Sequence, residues 1–198
     1  MSKKIVLAIF AVFVILVAGG GFFWWWQGKE IKGSPEDYVI VDRTDGTFVE
    51  NKKAGLSVKV PEGWEVEKVE REEGWAMFFS PETQIELTSE GVVLLPLVKG
   101  CLIDAGVMYR KMSLSELELD IKYTLPNLGL KFIEVENIVV NNSQALKTTF
   151  DTQKVGSGII VNIPYDDKVY TFNLSFGANE EEECTSEFDR FLETISIK

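Results

Sequence analysis

The chain of 198 residues holds 20 Lys and Arg against 31 Asp and Glu, with no histidine, for a formal charge of −11. Lys3 and Lys4 are the only charges before residue 29, so the remainder carries −13, and an acidic body without a basic stripe excludes binding to a phosphate backbone as its task. The lack of histidine removes Ser–His and Cys–His nucleophiles and His-ligated zinc, and two cysteines are too few for an all-cysteine zinc site or a four-thiolate iron–sulfur cluster.

Residues 1–4 form a short polar start with Lys3 and Lys4, and Ile5 to Trp26 follows as one unbroken run of apolar residues and glycine. As a helix this run spans a little over ~30 Å, the thickness of a hydrocarbon core. Trp24, Trp25 and Trp26 close it where an aromatic belt sits. The lysines on the other side place the N-terminus in the cytoplasm and everything after Trp26 outside. We therefore expect a transmembrane signal-anchor over 5–26. The alternative is a cleaved signal peptide, processed near Ala18-Gly19-Gly20. Cleavage there would leave Phe22 to Trp26 at a mature N-terminus in water, which favours the anchor. Residues 27–45 are polar and read as a tether, with Tyr38 to Val41 a candidate first edge strand inside it.

Strand signals dominate from residue 46 to 198. Leu56 to Val60 alternates and ends at Pro61-Glu62-Gly63, a turn that launches Trp64 to Val66. Glu70 to Gly74 is a polar hairpin loop before a strand over Trp75 to Phe79. Residues 101–110 place Cys101, Ile103, Ala105, Val107 and Tyr109 on one face. Further strands fall at Lys131 to Val140, Gln144 to Phe150 and Ile159 to Ile163. Asp166-Asp167 turns into Val169 to Phe176, where Tyr170, Phe172, Leu174 and Phe176 share a face. Ser113 with Glu116 forms a capping box for a helix carrying Leu114, Leu117 and Ile121, stopped by Pro126 and Gly129. Ser186 with Asp189 is a looser box, predicting a last helix with an apolar stripe of Phe188, Phe191, Leu192 and Ile195 lying on a sheet.

The order Gly55-Leu-Ser-Val-Lys-Val-Pro-Glu-Gly-Trp64, a middle strand and helix, Ala145 to Phe150, the Ile163-Pro-Tyr…Tyr170-Thr-Phe hairpin and the Phe188-to-Ile195 helix resembles the PsbP-like proteins. The family's founders are extrinsic subunits of the photosynthetic oxygen-evolving complex, and many bacterial relatives are membrane-tethered. The resemblance implies an α+β domain over 46–198, an antiparallel sheet between helical layers in an α/β/α sandwich, and non-catalytic assembly work. Photosynthetic members use histidine near metal, and this chain has none.

Both cysteines lie in the part placed outside, where disulfides persist. A Cys101–Cys184 bond would tie the last helix to the sheet; the alternatives are two free thiols or a reactive Cys184 at a helix start. Glu180 to Glu183 fits either a calcium or manganese site or acids complementing the positive end of the following helix. Asp166-Asp167 and Asp42 with Asp45 are explained by turn chemistry and solubility, or else as paired catalytic carboxylates. Gly156-Ser157-Gly158 reads as a loop or bulge, because no Gly-x-Ser-x-Gly elbow is present. Trp64 and Trp75 either seal the ends of a core or form a ligand surface. We assign no catalytic, cofactor or metal residue and no cofactor, and expect a non-catalytic binding or assembly module at the cell membrane. Its expected partner is an envelope protein or membrane complex, not nucleic acid. The competing functions are a carrier of lipid or small hydrophobic ligands, with its cleft between the sheet and the last helix, and an envelope hydrolase using carboxylates alone.

Overall fold

The computed structural model describes residues 33–69, 74–85, 97–127, 130–152 and 156–198. The segment 5–26 and most of the Glu70-to-Gly74 loop lie outside the described residues. Among the described residues no helix is long and apolar enough to cross a membrane.

A turn of 3-10 helix at Pro35–Asp37, capped by Ser34, leads into β1 (Tyr38–Arg43), β2 (Gly46–Asn51) and β3 (Leu56–Lys59). Then come β4 (Glu65–Val69), β5 (Trp75–Phe79), β6 (Gln84–Ile85), β7 (Leu97–Lys99) and β8 (Cys101–Met108). Helix α1 (Leu114–Asn127) precedes β9 (Lys131–Val140), β10 (Ser143–Thr152), β11 (Gly156–Tyr165) and β12 (Lys168–Phe176). Helix α2 (Glu181–Glu193) and β13 (Ser196–Ile197) complete the chain.

The strands form not one sheet but a seven-stranded antiparallel sheet, ordered β4-β5-β8-β12-β11-β10-β9, and a separate four-stranded sheet, β1-β2-β3-β13. The pair β6–β7 stands apart. The large sheet lies between helices as the expected α/β/α sandwich requires, and the second sheet is an addition to it. One face of the large sheet is covered by α2 together with the small sheet, because Val49, Leu56 and Val58 feed the same core as Tyr170, Phe172, Phe188 and Phe191. Side-chain alternation puts Leu146, Phe150 and Val169 on the other face, where α1 seals them with Leu117, Ile121 and Leu125. The small sheet also moves the domain boundary upstream. Tyr38, placed in the tether from sequence, is 1% exposed, and β1 pairs along its length with β2.

The capping box at Ser113 is present: Ser113 N–H donates to Glu116 at 2.8 Å, and Glu116 N–H donates to Ser113 Oγ at 3.3 Å. The Ser113 N–H and the Ser113 hydroxyl, both donating to it, hold the Glu116 carboxyl below its ordinary range. Helix α1 runs one residue beyond Pro126. The last helix has its N-cap at Glu180, six residues before Ser186. Asn179 sits at a left-handed φ of 70°, and Glu181, Glu182 and Glu183 occupy the first turn at the helix's positive end. Ser186 lies inside the helix and accepts from Arg190 at 3.1 Å. Gly156-Ser157-Gly158 is strand rather than loop: Gly158 pairs with Ser175 and Phe150. A Cβ on Gly158 would stand 2.5 Å from the Phe150 ring, so the ring packs across bare backbone.

Candidate functional site

The apolar stripe of the last helix is buried. Phe188, Phe191 and Leu192 face the sheet, and Ile195, just past the helix end, is 4% exposed. The Phe191 ring meets Phe78 edge-on at 5.0 Å and Phe172 at 6.1 Å. The cleft expected by a carrier is thus filled with phenylalanine rings, and a ligand beneath this helix would have to displace them. Cys101 and Cys184 are bonded, with Cα atoms 5.5 Å apart, which fixes the first turn of α2 to the start of β8.

The carboxylates singled out from sequence do structural work. Asp42 accepts from the Thr47 hydroxyl at 2.8 Å, and Asp167 pairs with Lys168 at 2.6 Å, which lowers the Asp167 pKa. Asp166 takes a left-handed φ of 53° in the hairpin turn. Glu180 accepts from Gly100 N–H at 2.5 Å, clasping the β7–β8 junction beside the disulfide. Among the described residues no three His, Cys, Asp or Glu side chains are grouped to hold a metal ion.

The structure instead opens two clefts that share Trp64. The first, about 500 Å³, lies at the mouth between the two sheets, lined by Ile40, Lys59, Val60, Glu62, Trp64 and Val66, with Asp45 at the β1–β2 turn. Register explains its apolar walls. Ile40 pairs with Val49 and Val49 with Val58, so the three form one row on the core face of the small sheet. Val49 and Val58 are buried while Ile40, on the edge strand, is 46% exposed. In the large sheet Val66 pairs with Phe78 and Phe78 with Ile103; the inner two are buried and Val66 is half-buried. Both core rows therefore end only partly covered on one side of the domain.

The second cleft, about 250 Å³, is lined by Trp64, the disulfide and Glu82, Glu180, Glu183 and Glu187, with no cation among the described residues of its lining. Lys99 pairs with Glu82, and this contact lowers the Glu82 pKa and raises that of Lys99, with Glu180 and Glu183 adding to the rise. Trp75 serves packing, since a Cβ on Gly106 would stand 2.6 Å from its ring. The sequence did not disclose the mouth, because Ile40 alternates like any core residue; only the strand order reveals that its row lacks full cover.

No protein-family model matches the sequence, and no curated protein matches it. The fold has solved counterparts. The cyanobacterial PsbP (CyanoP) of Synechocystis superposes with a TM-score of 0.53 at 13% identity, over 81% of this chain and 92% of its own. LpqN of Mycobacterium tuberculosis, described as involved in cell envelope biogenesis, gives 0.48 at 14% identity over 81% and 90%. The protein PA94 of Pseudomonas aeruginosa gives 0.45 at 10% identity over 81% and 97%. The described domain thus has the PsbP-like fold, an α+β architecture of mostly antiparallel sheet with two helices.

Proposed function

We propose that this protein is a non-catalytic binding or assembly module, held at the outer face of the cell membrane by Ile5 to Trp26 and working on an envelope protein or membrane complex. The observation that carries the proposal is the mouth between the sheets, where the core rows of Ile40 and Val66 end only partly covered above a cleft of about 500 Å³. An apolar surface of this kind, rimmed by charge, marks a contact site. The placement outside the membrane rests on the two lysines before the apolar run and on the Cys101–Cys184 pair, which suits an oxidising compartment. The test is native mass spectrometry of the full chain extracted from its host membrane. A stoichiometric protein companion is expected. A copurifying lipid without protein would instead make the chain a carrier, and turnover of envelope polymers would make it a hydrolase.

A further inference from the structure

We infer that the mouth between the two sheets receives an extended, positively charged segment of a partner protein, whose apolar side chains complete the rows left open at Ile40 and Val66. This inference rests on the binding-module reading and adds the shape and charge of the partner.

Shape follows from the borders. β1 is the last strand of the small sheet and β4 the last of the large one, each with a single described neighbour. Residues of both strands line the same cleft. Strand edges offer backbone donors and acceptors, and extended segments are the ligands that use them. A strand-shaped occupant also places alternate side chains on one side, where Ile40, Trp64 and Val66 wait.

Charge follows from the rim. The mouth contributes Asp45 and Glu62, and the adjoining cleft across Trp64 contributes Glu180 and Glu183, beside Glu82 and Glu187, which pair with Lys99 and Arg190. Among the described residues Lys59 is the one cation lining either cleft, and it lies folded across Gly46. A segment alternating apolar and basic residues meets apolar walls with one side and carboxylates with the other. An anionic or purely apolar segment would leave this rim unanswered.

The experiment uses the full chain in phosphatidylcholine nanodiscs and two labelled peptides, Lys-Val-Lys-Phe-Lys-Val-Lys and Glu-Val-Glu-Phe-Glu-Val-Glu, read by fluorescence anisotropy. The lysine peptide should bind saturably and weaken on raising salt to about 0.5 M, where the Debye length falls to a few ångströms. Ile40→Ser should weaken it at least about tenfold without shifting the melting temperature. Tyr123→Ser, on the exposed outer side of α1, should leave it unchanged. Equal binding of the two peptides would make the mouth a site for any apolar ligand and overturn the inference. Equal binding to nanodiscs without protein would overturn it in favour of the lipid surface, and self-association lost on Ile40→Ser in favour of a second copy. If native mass spectrometry finds a partner protein that Ile40→Ser leaves bound, this surface is wrong and the module reading stands.

Discussion

Phe191 shows what a single residue contributes here. Its ring lies between Phe78 and Phe172, 2% exposed, at the centre of the largest cluster. Truncating such a residue costs about 3–5 kcal/mol, a large part of a domain's stability. A thermal melt of Phe191→Ala should therefore show a domain unfolded or nearly so, whereas Glu193→Ala on the exposed side should stay within about 0.5 kcal/mol of the parent. An unchanged Phe191→Ala melt would mean that the ring lines a ligand cleft after all. Tyr170 is a second case. Its hydroxyl donates to the Ala54 carbonyl at 2.5 Å, and burial pushes its pKa up to about 12. Because the folded state holds this proton more tightly than the unfolded one, the contribution is complete below about pH 10 and is lost as pH rises toward 12. Melting curves across that window should fall more steeply for the parent than for Tyr170→Phe. Equal slopes would show that Tyr170 ionises freely in the fold. The stripe around Phe191 was legible because helical spacing and burial coincide. The Ala54 partner was not, since it lies across the fold in a turn that no local pattern marks.

At the scale of elements, helix α1 was legible from its capping box and the strands of the large sheet, with β3, from alternation, whereas β2, β6, β7 and β13 carried no signal that was read. What escaped was set by contacts distant in sequence. Helix α2 starts at Glu181 because Glu180 clasps Gly100 and Cys184 is bonded to Cys101, neither visible from the local pattern around Ser186. Its other end is held the same way. The side-chain amide of Asn141, in the β9–β10 turn, donates to the carbonyls of Leu192 and Glu193 at 3.2 and 3.3 Å and also to that of Ile195. The disulfide spans a sequence separation of 83 residues, for which loop-closure entropy alone gives about 4.5 kcal/mol. Cys184→Ser should thus lower stability by a few kcal/mol, and hydrogen exchange should show α2 amides losing protection before those of β8 and β12. Uniform loss across the domain would show that the bond does not hold the helix locally.

For the molecule as a whole, the PsbP-like class was legible in the order of its turns and strands. The division into two sheets was not. Leu56 to Val60 and Val169 to Phe176 carry the same alternation, and only pairing decides which strands share a sheet. The candidate site depends on that division, since the mouth exists where two sheets meet and neither core row is closed. Its acidic rim agrees with a body carrying −13. The proposed role requires that such a domain stand outside the membrane on an uncut anchor. The most direct measurement is the intact mass of protein extracted from membranes and alkylated without reduction. The account predicts a mass that includes Ile5 to Trp26, with neither Cys101 nor Cys184 alkylated. A chain beginning at Gly21, or one carrying two alkyl groups, would contradict it.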